Sequence, residues 1–263
     1  MSLITLEAAG AQLGACQFGP FNLQLAAGER VAILGPSGAG KSTLLRLLAG
    51  DLAACRGRVC LDGRNLAQWR VHELAQRRAV LPQSHHVAFG LQTDTIVALG
   101  RVARPHDPAL LQIVREALHA ARATHLAGRR FDTLSGGEQA RVHLARVFAQ
   151  LWDVECGLLL VDEPLAALDP GLQFGLQEAM EQFAAQRGHA MIAVLHDINH
   201  ALSAFRRLWL IRDGRLQADL PADVRALPAL ESLYGVRLRY MQFADGSLGV
   251  SPARQGAQEG VAA

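Results

Sequence analysis

The sequence predicts an α/β fold with a mostly parallel sheet, interrupted by an inserted helical segment. Short apolar runs of strand length lie on both sides of that segment, at 31–34, 158–161 and 191–195. Between about 84 and 150 the strand pattern stops, and from 110 to 121 apolar residues recur at helical spacing. Strands that are apolar throughout and separated by helices must be covered on both faces, so they are typical of parallel sheets.

The size and composition of the chain limit the classes of protein to consider. Its 263 residues suit one large domain or a domain with an inserted subdomain, and 50% of them are hydrophobic. A formal charge of +2 gives no reason to expect a nucleic-acid or anionic-membrane surface. No apolar run reaches the ~18 residues that a membrane helix needs, and the first residues lack a signal-peptide pattern. We therefore expect a cytosolic protein that reaches a membrane only through a partner.

The first half of the chain predicts a strand, a loop and a helix in close succession. A strand ending at Leu34 runs into a glycine-rich loop, and a helix begins near Ser42. Short strands are predicted at 58–61 and 79–81.

The second half predicts a further pair of strands and a closing hairpin. A helix from Pro170 to Arg187 separates the apolar runs at 158–161 and 191–195. Residues 208–211 and the Asp213-Gly214 turn predict the hairpin. The segment 251–263 is rich in Gly, Ala and Gln, and we expect it to be disordered.

The loop after the first long strand matches the phosphate-binding pattern GxxxxGK[ST], in the strand–helix context that this pattern requires. Its glycines let backbone N–H groups approach phosphates, and the helix that follows points its positive end at them. The lysine reaches the outer phosphates and the serine hydroxyl is a ligand for Mg²⁺. By itself the loop indicates only nucleoside triphosphate binding. The residues are Gly35, Pro36, Ser37, Gly38, Ala39, Gly40, Lys41 and Ser42.

Two acidic residues follow an apolar strand and supply a catalytic hypothesis. The run 158–161 leads directly into Asp162 and Glu163. At the carboxyl end of a central strand, Asp162 would hold Mg²⁺ through its water shell. Glu163 would orient the water that attacks the terminal phosphate.

A second anion-binding turn decides the family. The segment Leu134-Ser135-Gly136-Gly137-Glu138 precedes a helix, and small residues at a helix N-terminus offer free N–H groups to phosphate. Gln83 lies before this segment and follows a predicted strand. Ala167-Leu168-Asp169 comes after the two acidic residues, and His196 follows a later strand. In this order, these elements resemble the motifs of the ATP-binding cassette (ABC) ATPases. The resemblance extends over roughly residues 1–240.

The resemblance implies a fold and a division of the chain. It implies a P-loop NTPase of RecA-like type, with a mostly parallel sheet and a small N-terminal β subdomain. The core would comprise 1–83 and 151–240, and the inserted α-helical subdomain about 84–150. A C-terminal tail, 241–263, would be partly disordered.

The resemblance also implies the cofactors and the site. Two copies of the chain would pack head to tail, so that Ser135 and Gly137 of one clamp the ATP held by Lys41 of the other. The catalytic residues would be Glu163, His196 as the sensor of the terminal phosphate, and Gln83, which links the metal site to the helical subdomain. The Mg²⁺ ligands would be Ser42, Gln83 and Asp162. The ATP-binding residues would be Gly35, Pro36, Ser37, Gly38, Ala39, Gly40, Lys41, Ser42, Thr43, Ser135, Gly136, Gly137, Glu138 and Asp169.

The sequence departs from the family at the adenine. The family usually places an aromatic residue upstream of the phosphate loop to stack on the base, but the corresponding stretch, 11–15, has none. Leu13 offers an apolar face and Phe18 a displaced ring, and we assign neither.

Within the family, the chain is most similar to ATPases of bacterial haem importers, with iron-siderophore and vitamin B12 importers as near alternatives. The stretches that carry this are 81–84, 95–101, 145–152 and 194–200. The expected partners are a second copy, two integral-membrane permease subunits facing 95–101, and indirectly a periplasmic binding protein. The expected location is the cytoplasmic face of the bacterial inner membrane. A non-transport ABC ATPase acting on nucleic acid or ribosomes is the alternative of a different class, although no nucleic acid is expected.

Overall fold

The computed structural model describes residues 2–83, 90–162, 169–244 and 248–253. Within these ranges no helix is both long enough and apolar enough to cross a membrane. The strands are β1 (Ser2–Leu13), β2 (Cys16–Ala26), β3 (Arg30–Leu34), β4 (Arg56–Leu61), β5 (Arg64–Asn65), β6 (Arg78–Leu81), β7 (Leu158–Asp162), β8 (Ala190–Val194), β9 (Arg207–Arg212), β10 (Arg215–Pro221), β11 (Leu238–Gln242) and β12 (Leu248–Pro252). The α-helices are α1 (Lys41–Ala49), α2 (Val71–Ala75), α3 (Thr93–Ala98), α4 (Leu110–Ala120), α5 (Gly136–Leu151), α6 (Pro170–Arg187), α7 (Ile198–Ala204) and α8 (Leu227–Tyr234).

The main sheet has six strands in the order β10-β9-β3-β8-β7-β6. The neighbours from β9 to β6 are all parallel, and β10 adds an antiparallel edge. The strands β3 and β8 are buried along almost their whole length, because both faces of the sheet are covered. The predicted α/β class with a mostly parallel sheet is confirmed.

Two hydrophobic cores lie on opposite faces of this sheet. Alternate residues of β3 point into different cores: Ala32 and Leu34 pack with α5 and α6. Val31 and Ile33 pack instead with α1 and with a second sheet, which is antiparallel and has the order β2-β1-β4-β5. This second sheet is the N-terminal β subdomain that the resemblance implied.

The inserted segment is helical where the structure describes it. Helices α3, α4 and α5 pack against one another and contribute Ile96, Val114 and Phe148 to one core. Helix α6 spans Pro170–Arg187, which are the predicted bounds. Asp169 caps its start and Gly188, with φ 65°, ends it, so both boundaries follow from local chemistry.

The C-terminal region differs from the expectation. The predicted tail begins at 241, but β11 runs across that boundary and pairs with β12. Asn199 holds the hairpin against α7: its Nδ2 donates to the Val250 carbonyl at 3.0 Å, and its Oδ1 accepts from the Val250 N–H at 2.6 Å. The boundary at 240 follows the extent of the family resemblance, and the short motifs that carry it give no sign of this distant anchor.

Candidate active site

The phosphate loop follows β3, and its glycines are needed for close approach or for backbone conformation. A Cβ on Gly35 would lie 2.1 Å from the Ile211 carbonyl oxygen. Gly38 and Gly40 have φ of 76° and 97°, in the left-handed region that favours glycine. The backbone can therefore curl tightly between β3 and α1, as the sequence predicted.

Lys41 lies at the first position of α1 with its side chain folded into the loop. It is only 5% exposed. Its Nζ donates hydrogen bonds to the carbonyls of Gly35 at 2.9 Å and Pro36 at 3.1 Å. These carbonyls hold the ammonium beside the N-terminus of α1. A phosphate at this place would interact with the positive charge of Lys41 and with the free N–H groups of the helix.

Ser42 and Asp162 meet although they are far apart in the sequence. The Ser42 hydroxyl donates to Asp162 Oδ1 at 3.2 Å. A hydroxyl and a carboxylate at this distance fit the hard oxygen ligands that Mg²⁺ prefers, with phosphate oxygens and water completing its shell. Among the described residues, no group of three or more His, Cys, Asp or Glu forms a self-sufficient metal cage.

The strand order gathers the remaining predicted residues at one edge. The phosphate loop follows β3, His196 follows β8, Asp162 ends β7, and Gln83 follows β6, and these four strands are neighbours. Because parallel strands end at the same edge of a sheet, all four groups face the same crevice. Both Gln83 and His196 are exposed there. Glu163 lies outside the described residues.

The second anion-binding turn begins α5 and is held by its own capping box. The Ser135 hydroxyl accepts from the Glu138 N–H at 3.3 Å, while a Glu138 carboxylate oxygen accepts from the Ser135 N–H at 2.8 Å. That backbone hydrogen bond, followed by the one from the Ser135 side chain, lowers the pKa of the Glu138 carboxyl. Arg129 adds an ion pair to Glu138 at 3.0 Å.

The turn presents one open side and one covered side. Ser135 and Gly136 are exposed, whereas Gly137 is half-buried against Leu172 of α6. Asp169 is exposed at the N-cap of the same helix, where its carboxylate accepts from the Leu172 N–H at 2.9 Å. The open side is free to meet a phosphate from outside the chain.

Some residues of this region were missed or left open by the sequence. The Phe18 ring lies against the phosphate loop, since a Cβ on Gly40 would fall 2.7 Å from it. Phe18 is thus the aromatic side chain beside the loop, while the adenine-stacking residue stays unassigned. No sequence signal indicated the contacts of Leu172 and Arg129, which join segments that are distant in the chain.

Comparison with known proteins places the chain in a family. A family model described as ABC transporter matches residues 18–166. This chain belongs to the ABC transporter family. This ABC ATPase is 46% identical over 220 residues to the hemin import ATP-binding protein HmuV of Pseudomonas putida, a match that covers 82% of this chain and 85% of the relative.

Solved structures agree on the fold. An ABC transporter assigned to the metal-chelate type, in an inward-facing conformation, gives a TM-score of 0.80 at 24% identity and covers 97% of this chain and 99% of that one. A dimeric ATP-binding cassette in a post-hydrolysis state, bound to ADP and phosphate, gives 0.73 at 24% identity and covers 84% and 99%. These likenesses concern the fold, and the family model together with the Pseudomonas putida relative shows that the chain is an ABC transporter ATPase.

Proposed function

We propose that this ABC ATPase powers haem import: two copies close on two Mg-ATP and drive permease subunits made by other chains. The substrate is proposed because the Pseudomonas putida relative, which is 46% identical, is named for hemin import. The observation that carries the mechanism is the exposure of the turn at Ser135 and Gly136. An exposed turn built to bind phosphate needs a phosphate that another molecule brings.

A second copy supplies that phosphate. Each chain has two phosphate-binding turns, but only the loop at Lys41 has a lysine and the Ser42–Asp162 pair beside it. A nucleotide held at Lys41 of one copy therefore reacts only there, and the turn at Ser135 of the partner closes over it. Head-to-tail packing of two copies satisfies both turns at once.

The chain's own residues prepare the nucleotide for attack. Lys41 exchanges its two carbonyl partners for phosphate oxygens, which bind an ammonium more strongly than neutral carbonyls do. Ser42 and Asp162 would hold Mg²⁺ with help from Gln83, and the ion when bound neutralises charge on the outer phosphates. Glu163 orients the attacking water, and His196 donates toward the terminal phosphate and registers its presence.

An apolar surface at the junction of the helical segment supports a permease as the partner. Val71 is 86% exposed, Leu99 50% and Val102 78%. They lie on two adjacent segments, since the Gln76 side chain donates to the Ala103 carbonyl at 2.9 Å. Exposed apolar side chains on adjacent segments are the kind of feature that a partner protein covers.

The same surface is firmly attached to α5. Arg101 belongs to the same segment as Leu99 and Val102 but is buried, and it donates to the Ala149 carbonyl at 3.1 Å and to Asp153 at 2.7 Å. Movement of a docked permease would therefore reach the helix that begins at the Ser135 turn. Two permease subunits would hold the ATPase on the cytoplasmic face of the inner membrane, and a periplasmic binding protein would deliver the substrate to them from the other side.

The test is transport by the complete assembly. The ATPase, its permease and its binding protein are reconstituted in proteoliposomes, and haem uptake is measured with wild-type chain and with Glu163→Gln. We expect ATP-dependent haem uptake that Glu163→Gln abolishes while ATP-driven dimerisation persists. Uptake of a ferric siderophore or cobalamin in place of haem would refute the substrate. Co-purification with nucleic acid, without any permease, would refute transport.

A further inference from the structure

The two adjacent glycines of the turn at Ser135 have different surroundings. A Cβ on Gly136 would meet no atom within 4 Å, whereas a Cβ on Gly137 would lie 2.2 Å from Leu172 Cδ2. The next atoms it would meet, at 3.6 and 4.0 Å, also belong to Leu172. Neither glycine has φ in the left-handed region. A methyl group at 137 would therefore meet one side chain of the same chain, whereas the backbone conformation at 137 does not itself call for glycine.

The position of Leu172 is itself fixed at the start of α6. Its N–H donates to the Asp169 carboxylate at 2.9 Å, and Pro170 opens the helix. A cap of this kind holds the first helical turn in one conformation. Asp169, Leu172 and Gly137 thus form a continuous contact from the N-cap of α6 to the phosphate-binding turn.

The contact is the end point of a longer helix interface. Helices α5 and α6 run side by side in the same direction, and Phe148 stacks on Phe183 with ring centroids 4.1 Å apart. Glu178, which lies on α6 between Leu172 and Phe183, pairs at 2.5 Å with Arg122, just after α4. The aromatic stack anchors the helices at one end, and at the other end Leu172 lies against Gly137, so this contact sets how closely their N-termini approach.

We propose that Leu172 is a positioning residue, which sets how the turn at Ser135 is presented to the nucleotide of the partner copy. This inference rests on the proposed head-to-tail dimer. Leu172 covers the inner side of the turn, so that only the side with Ser135 and Gly136 faces outward. A Cβ at 137 would force either the Leu172 side chain or the turn to move.

The test is a double-mutant cycle on ATP-driven dimerisation. In the Glu163→Gln chain, the dimer dissociation constant with Mg-ATP is measured by analytical ultracentrifugation for Gly137→Ala, Leu172→Ala and their combination. We expect each single substitution to raise the dimer dissociation constant about tenfold. The double variant should dimerise at least about threefold more tightly than Gly137→Ala alone, because the shortened side chain at 172 makes room for the methyl group at 137. Leu172→Phe with Gly137 left in place should also weaken the dimer, because the larger ring overpacks the contact and displaces the turn.

Two controls separate positioning from general damage. Gly136→Ala has open space around its Cβ, so Leu172→Ala should give it no relief. Binding of a fluorescent ATP analogue to the single chain reports the loop at Lys41, and its affinity should not follow the dimer constants.

The failure of the inference and that of the dimer are distinguishable. If the Glu163→Gln chain does not dimerise with Mg-ATP, the proposed dimer is wrong and the inference falls with it. If that chain dimerises but Leu172→Ala and Leu172→Phe leave the constant unchanged, only the role of Leu172 is overturned. The same holds if Leu172→Ala relieves Gly136→Ala as much as Gly137→Ala.

Discussion

His189 makes the stability of the main sheet depend on pH. It lies between the end of α6 and the start of β8 and is 1% exposed. Its Nδ1 accepts a hydrogen bond from the Gly157 N–H at 2.9 Å, directly before β7. Burial, and after it the positive charge of Arg187, lowers the pKa of the imidazole from 6.5 to about 4. The folded chain therefore keeps His189 neutral where the unfolded chain would protonate it.

The sign and size of the effect follow from this difference. Below pH 6.5 the unfolded state binds a proton that the folded state does not, so the free energy of unfolding falls as the pH falls toward 4. Between pH 7 and pH 5 the loss from this one group is about 2 kcal/mol, and it reaches about 3 kcal/mol at pH 4. The upper part of this window is the better one to measure, because most carboxylates titrate below it.

The assay is urea unfolding followed by circular dichroism at several pH values between 7 and 5. His189→Asn keeps an acceptor for the Gly157 N–H but removes the titrating group. From pH 7 to pH 5, the free energy of unfolding of this variant should therefore fall by about 2 kcal/mol less than that of the wild type. His125 is exposed, so His125→Gln is the matched control that removes one imidazole without changing a buried group. Equal pH slopes for wild type and His189→Asn would refute the reasoning, because then His189 would be protonated in the folded chain as easily as in the unfolded one.

Three further predictions concern the site. Lys41→Ala should weaken ATP binding by about a hundredfold in calorimetry, because a charged donor to phosphate is lost; an unchanged affinity would contradict the phosphate loop. Ser42→Ala should raise the Mg²⁺ concentration for half-maximal ATPase activity about tenfold while ATP binding without Mg²⁺ persists; an unchanged Mg²⁺ dependence would contradict the role of Ser42 as a ligand. Ser135→Ala should lower the free energy of unfolding by about 1 kcal/mol through loss of the helix cap and reduce ATPase activity, whereas Ser135→Thr should retain both; equal loss in the two variants would argue against the cap.

The sequence by itself determined the features that local chemistry encodes. The glycine spacing before Lys41, the apolar run ending in Asp162 and the cap of α6 each depend on residues that are neighbours in the chain. For this reason the phosphate loop, the fold class and the bounds of α6 were predictable. The resemblance to the ABC ATPases rests on the same short motifs.

The tertiary structure alone decided which of these segments meet. The apolar strands of a buried parallel sheet look alike in sequence, so the order β3-β8-β7-β6 depends on packing over the whole chain. That order brings the Ser42 hydroxyl to Asp162 and places His196 at the same edge. Phe18 on the phosphate loop and Leu172 on Gly137 are likewise contacts between distant segments, whose side chains carry no local pattern. Their partners exist only once the two cores have closed around the sheet.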